Sequence, residues 1–271
     1  MLKQRIITAC ALAVLVSAIV LLSSSLVFAG FIGLVVALAC WEWANLSGIA
    51  AAPLRLLYAL VVIAVLGVSW WLLPSQDWLA WAFAVACVGW LSCLIRITFY
   101  PAGAGVLRRH WLSLLTGFLV LVPAGHALVY LHSLAYGEWL VVTLITTVAA
   151  ADIGAYFTGK RFGRRRLAPR VSPGKTWEGV AGGAVFAVVF LGVAMANTVS
   201  YPLYWAALLG LPVALVSVVG DLFESMLKRE RGIKDSGRIL PGHGGVLDRI
   251  DGLLAAAPVF ALVILLAGWS V

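Results

Sequence analysis

Charge is scarce in this sequence: Asp, Glu, Lys and Arg make up 11% of its 271 residues, against about 25% in a soluble globular domain. With 63% hydrophobic residues and a mean hydropathy of +1.05, that shortage excludes an ordinary water-soluble fold. Cysteine is scarce as well. Cys10, Cys40, Cys87 and Cys93 all lie within apolar runs and without ligand spacing, which excludes a disulfide framework or a cysteine metal site and leaves them as packing residues. No internal repeat is visible, which counts against a transporter made of paired halves. The nucleotide-binding pattern G-x-x-x-x-G-K-[ST] is missing too: Gly174, Lys175 and Thr176 fit its end, but Pro169 stands where its first glycine belongs.

What is present is a series of apolar runs, each about 20 residues and so long enough for a ~30 Å hydrocarbon core. They fall near 6–22, 26–46, 54–73, 78–97, 111–132, 138–158, 177–197, 203–222 and 252–269. The reading is an all-α polytopic membrane protein of about nine transmembrane helices. Basic residues give the orientation, because Lys and Arg gather in cytoplasmic segments. All 19 of them lie in alternate segments: Lys3 and Arg5; Arg55; Arg96, Arg108 and Arg109; Lys160 to Lys175; and Lys228 to Arg249. The other turns carry only the acids Asp77 and Glu138. The N-terminus is therefore expected in the cytoplasm and the C-terminus outside. The net charge of +8 then serves orientation and contact with phosphate or membrane lipid, not nucleic acid.

The first half holds little polar chemistry. Its opening resembles a signal peptide with a cleavage point after Ala29, but cleavage would shorten the second span, so a retained helical hairpin is expected. Glu42, between Trp41 and Trp43, reads as an interfacial acid reaching for the membrane surface. His126 and His132 share a helix face without an acidic partner, and a metal or proton site there is not expected. Trp70, Trp71, Trp78 and Trp81 read as an outer aromatic belt. Residues 1–137 are accordingly expected to be scaffold. Residues 138–271 are expected to be the catalytic region, with cytoplasmic loops at 159–176 and 223–251.

Asp152 lies inside the sixth span, eight residues before Lys160, or about 12 Å at 1.5 Å per residue. A membrane-embedded acid is costly and usually functional, so it predicts a polar cavity reaching below the surface. The loop that follows contains Ser172-Pro173-Gly174-Lys175-Thr176, a turn expected to present N–H groups and Lys175 to a polyphosphate.

The densest chemistry lies between Gly220 and Gly252, 33 residues with six Lys or Arg and one His. Asp221, Glu224 and Ser225 have i, i+3, i+4 spacing and share a helix face. Asp248 and Asp251, three apart, open the last span. Carboxylates from both sides suit a hard divalent cation such as Mg2+, which is held by one or two carboxylates plus substrate phosphates. Gly242, Gly244 and Gly245 are expected to leave backbone N–H groups open to phosphate just before a helix start.

These residues also carry a resemblance. Ser225, Lys228, Arg229, Lys234, Asp235, Gly237, Leu240, Pro241, His243, Gly244, Gly245, Asp248, Arg249 and Asp251 follow S-x-x-K-R-x4-K-D-x-G-x2-L-P-x-H-G-G-x-x-D-R-x-D without departure. That signature resembles the CDP-diglyceride synthase, or phosphatidate cytidylyltransferase, family. The D-x-x-A-Y-x-x-G-K-x-F-G element from Asp152 to Gly163 and S-P-x-K-T-x-E-G from Ser172 to Gly179 are similar to it as well. The N-terminal half matches mainly in hydropathy.

The resemblance implies transfer of CMP from CTP to phosphatidic acid in the inner leaflet, giving CDP-diacylglycerol and pyrophosphate, and is compatible with a homodimer; the chain's compactness favours a bacterial cytoplasmic membrane over an organellar one. It casts Asp221 and Asp248 as ligands of Mg2+, with Asp251 and Glu224 completing or supporting the site and a second cation allowed. Lys175, Lys228, Arg229 and Lys234 would bind phosphates. Ser172, Asp152, His243, Gly244, Gly245 and Arg249 would line the substrate site. Two rival readings are a CTP-dependent polyprenol or phytol kinase, whose alcohol acceptor requires a base, and an ion-coupled transporter using Asp152.

Overall fold

Apolar runs with no water to pair their peptide groups must satisfy them internally, and the helix does so within one segment. The computed structural model describes residues 2–72, 75–101, 109–198 and 204–268. Within them the chain forms α1 (Leu2–Leu22), α2 (Ser25–Leu46), α3 (Ala52–Leu72), α4 (Gln76–Thr98), α5 (His110–Ser133) and α6 (Gly137–Phe162). A short hairpin, β1 (Arg166–Ala168) and β2 (Ser172–Thr176), precedes α7 (Trp177–Thr198), α8 (Tyr204–Arg231) and α9 (Leu247–Leu266). Eight of these helices are long and apolar enough to cross a membrane, and Ile6–Leu22 of α1 adds a shorter apolar stretch. The chain is an all-α polytopic membrane protein. Arg108, one of the basic residues used for orientation, lies outside the described residues.

Side chains sort as a lipid-facing bundle requires. Leu56, Leu60, Val85, Leu91 and Phe190 point outward, while Ala255, Ala256, Ala257 and Ala261 of α9 are buried, because small residues let helices approach where no hydrophobic driving force exists between them. Cys40 and Cys93 are buried among apolar neighbours, whereas Cys10 is exposed and Cys87 intermediate. His126 bonds Ser69 through Nε2 at 2.9 Å and stacks on Trp70. His132 stacks on Phe28 and bonds the Val20 carbonyl at 3.1 Å, tying α5 to α1.

The polar loops are shorter than the apolar runs imply. α8 continues nine residues past 222 to Arg231, carried by the i, i+4 pair Glu224–Lys228 and by cations in its last turn, which suit a helix C-terminus. The irregular stretch is therefore 232–246, and 166–176 is a hairpin rather than an open loop.

α6 and α7 pack through small residues. A Cβ at Gly183 would lie 2.6 Å from the Ala151 carbonyl oxygen and 3.2 Å from the Ala155 Cβ, and one at Gly182 would overlap Thr158. Gly183→Val is expected to lower stability by about 1–3 kcal/mol through overpacking, read as a lower Tm in detergent. Because α6 carries Asp152, activity should fall with it.

Candidate active site

Elements from both halves of the chain meet at one end of the bundle. Thr176 ends β2 and caps α7, accepting from Gly179 N–H at 3.1 Å. Glu178, in the first turn of α7, accepts from the N–H groups of Arg164 at 3.0 Å and Arg165 at 3.2 Å. The antiparallel register pairs Arg166 with Thr176 and Ala168 with Ser172. Arg166 donates to the Pro173 carbonyl at 2.8 Å. The S-P-G-K-T segment is thus a strand, not the turn expected from its proline and glycine, and the strand sends Lys175 across to α8. Its Nζ lies 2.5 Å from Asp221 Oδ2. A cavity of about 680 Å³ opens here, with Asp152, Tyr156, Lys160, Ser172, Lys175 and Asp221 on its walls.

On α8 the expected face is realised. Ser225 Oγ donates to Asp221 Oδ1 at 3.2 Å, and one turn on, Lys228 Nζ bridges Glu224 Oε2 at 2.8 Å and Asp248 Oδ1 at 2.7 Å. This bridge is nearly dry, with the side chains of Lys228, Glu224 and Asp248 only 14%, 4% and 7% exposed. Asp248 is engaged at its other oxygen as well, where Oδ2 accepts from Ser236 N (2.9 Å) and Gly245 N (2.7 Å) and lies 3.0 Å from Ser236 Oγ, whose single proton is shared with Glu42.

The Gly-Gly pair has a steric reason. Gly244 takes φ +89°, and a Cβ there would sit 2.8 Å from Asp248 Oδ2, while one at Gly245 would overlap Ser236 and Glu42. The Gly245 N–H, expected to be presented to phosphate, is instead spent on Asp248.

Asp251, one turn further along α9, accepts from Gly252 N–H and interacts electrostatically with Asp221, Lys175 and Lys228. The closeness of α8 and α9 depends on Gly220, where any side chain would strike the Asp251 carbonyl. Asp152 on α6 interacts with Lys175 and Asp221. Asp152, Asp221, Glu224, Asp248 and Asp251 therefore form one acidic neighbourhood threaded by two lysines.

Other expected site residues stand apart from it. Arg229 Nε donates to the Val171 carbonyl at 3.3 Å, holding the hairpin to α8. Arg249 donates through Nε and Nη2 to the His243 carbonyl, at 3.2 and 2.7 Å, closing the turn before α9. His243, Gly244, Lys234 and Arg249 line a separate opening of about 540 Å³ with Asp235 and Arg238.

The reading of Glu42 as a surface-seeking acid is corrected. It is 1% exposed and accepts from Val246 N (3.0 Å), Leu247 N (2.8 Å) and Ser236 Oγ (3.0 Å). Sequence reasoning missed it because nothing local signals that the end of α2 abuts the start of α9. Its position between two tryptophans fits an interfacial residue equally well.

The donor set suits a hard cation: every candidate ligand is a carboxylate oxygen, and Glu224 Oε1 is buried without a hydrogen-bond partner. Lys175 already pairs with Asp221, and Lys228 bridges Glu224 and Asp248, marking where positive charge is favoured. Among the described residues no three His, Cys, Asp or Glu side chains converge tightly enough to hold a metal unaided.

Comparison with known proteins gives the family. Residues 3–267 match the model of the cytidylyltransferase family. The chain is similar to a phosphatidate cytidylyltransferase of Pseudomonas aeruginosa, 48% identical over 273 residues that cover 100% of this chain and 99% of the relative. It is 36% identical over 283 residues to a phosphatidate cytidylyltransferase of Haemophilus influenzae, covering 96% of this chain and 98% of that protein. A phosphatidate cytidylyltransferase of Synechocystis sp. is 42% identical over 181 residues, 60% of this chain and 59% of the relative.

Proposed function

The chain belongs to the cytidylyltransferase family, and we propose that it transfers CMP from CTP to phosphatidic acid, releasing pyrophosphate and forming CDP-diacylglycerol for phospholipid synthesis. The observation that carries the reading is the pair of ammonium groups, Lys175 on Asp221 and Lys228 between Glu224 and Asp248, at one polar end of an otherwise apolar bundle. Two polyanions must meet in this reaction, and fixed cations on rigid elements lower the cost of bringing them together.

The acceptor supplies its own nucleophile. A phosphate monoester with a second pKa near ~6 is largely dianionic at neutral pH, so no serine, cysteine or histidine needs to attack. A phosphatidate oxygen forms a bond to the α-phosphorus of CTP, and the bond from that phosphorus to the oxygen bridging the α- and β-phosphates breaks. The electron pair leaves with pyrophosphate. Lys175, on a short strand, faces the cavity and neutralises phosphate oxygens there. Lys228, held between Glu224 and Asp248, supplies a fixed positive charge at the same end of the bundle. Lys234 and the turn around His243 and Gly244 offer a second basic surface, at the separate opening they share with Arg249.

Asp221 and Asp248 are the residues that would hold Mg2+, with Asp251 and Glu224 as further or supporting ligands and a second cation allowed. When bound, the metal supplies Lewis-acid stabilisation of charge on the transferring phosphoryl group. The placement of all 19 basic residues supports a cytoplasmic N-terminus and a site open to the cytosolic face of a bacterial inner membrane, where CTP and inner-leaflet phosphatidate meet. Homodimerisation is part of the same proposal.

The test uses purified protein in mixed micelles with radiolabelled CTP, phosphatidic acid and Mg2+. Label is expected in the organic phase only with phosphatidate, and EDTA should abolish the transfer. Label passing instead to polyprenol or phytol, or none passing while a known family enzyme works alongside, would overturn the reading.

A further inference from the structure

Helix α9 begins without a cap of its own: Val246, at its N-cap position, has no capping side chain. Its first N–H groups point at a carboxylate from the other half of the chain. Glu42 Oε1 accepts from Val246 N and Oε2 from Leu247 N, at 3.0 and 2.8 Å. At 1% exposure this carboxylate has neutral donors and a helix N-terminus for company, and the helix dipole favours negative charge there. Glu42 thus does for α9 what an N-cap side chain normally does from within the chain.

The contact reaches the lysine bridge through one side chain. Ser236 Oγ lies 3.0 Å from Glu42 Oε2 and 3.0 Å from Asp248 Oδ2, and the Ser236 N–H also bonds Asp248. Asp248 Oδ1 in turn holds Lys228. The order is Glu42, Ser236, Asp248, Lys228, running from the end of α2 to α8. Fit is tight along it, since a Cβ at Gly237 or Gly245 would overlap Glu42.

We propose that Glu42 is a positioning residue for cytidylyl transfer: it caps α9 from α2 and, through Ser236, sets the orientation of Asp248 and the place of the Lys228 ammonium. The inference rests on the function proposed above. At 1% exposure, Glu42 acts through Ser236 and Asp248 and not by reaching substrate itself. The hairpin and Lys175 hang on α6, α7 and α8, away from it, so the turnover number should respond more than the KM for CTP.

The test compares wild type, Glu42→Gln, Ser236→Ala and the double variant in the mixed-micelle assay, with Tm measured on each. Glutamine keeps the length and one acceptor but turns the other into an NH2 facing donors. It is expected to lower kcat at least about tenfold, the scale of one unsatisfied buried donor, with KM for CTP changed less than about threefold. Ser236→Ala should lower kcat too, by less. The double variant should be no slower than Glu42→Gln within about a factor of two, because residues on one chain of contacts are not additive. Wild-type kcat in Glu42→Gln, or a double-variant loss equal to the product of the single losses, overturns the proposal. Should Glu42→Gln fail to fold, unchanged kcat in Ser236→Ala overturns it alone, and reduced kcat with unchanged Tm supports it. Absence of transfer by the wild type would instead sink the functional reading.

Discussion

Lys228→Met is expected to abolish turnover and to lower stability by about 3–5 kcal/mol, the usual cost of stranding a buried partner charge. The ammonium is the shared partner of Glu224 and Asp248, whose side chains are 4% and 7% exposed. Methionine fills similar volume with no charge, so packing is kept while two carboxylates are left facing one another. Glu224 suffers most, because its other oxygen, Oε1, has no partner to fall back on, whereas Asp248 retains two backbone N–H donors at Oδ2. A second substitution should separate the two effects. Lys228→Met with Glu224→Gln removes one of the stranded charges and should recover much of the lost Tm, yet leave transfer dead. Thermal unfolding in detergent and the label-transfer assay decide it; a single variant that unfolds and turns over like wild type removes Lys228 from both roles.

Lys175→Ala should show the opposite split, with activity lost and stability kept. Its partner Asp221 is 37% exposed in its side chain and Lys175 itself 23%, so the pair is wet enough that its loss costs about 0–1 kcal/mol. The same exposure makes Lys175 available to a substrate. Its removal should lower kcat/KM for CTP about 10²–10³-fold, in the range found for deleting one preorganised group that stabilises transition-state charge. Lys175→Arg should rescue only partly, since a planar fork does not replace a compact ammonium on a short strand. Full activity in Lys175→Ala, with unchanged KM for CTP, would take the hairpin out of the site.

Much of this site was legible in the chain itself. Asp221, Glu224 and Ser225 share a face because helical spacing demands it, and the Ser225–Asp221 and Lys228–Glu224 bonds are i, i+4 contacts that follow from that geometry. The acids of α9 were legible for the same reason. The hairpin was not, because Pro173 and Gly174 are turn residues by local preference, and only pairing with 166–168 makes 172–176 a strand. Nor could local spacing tell which donors were already committed: Gly245 N–H and the guanidinium groups of Arg229 and Arg249 bond carboxylate or carbonyl oxygens within the protein.

The sequence by itself determined the solvent this protein lives in, the number and order of its helices, and the segments that hold its chemistry. Each of these depends on composition and period along a short stretch, and helices in lipid satisfy their own backbones. The tertiary structure alone decided which charges meet. Lys175 reaches Asp221 from a strand 46 positions earlier, and Glu42 caps a helix that begins 205 positions later. Such meetings depend on where glycine and alanine let helices approach, so they are properties of the packed bundle rather than of any segment.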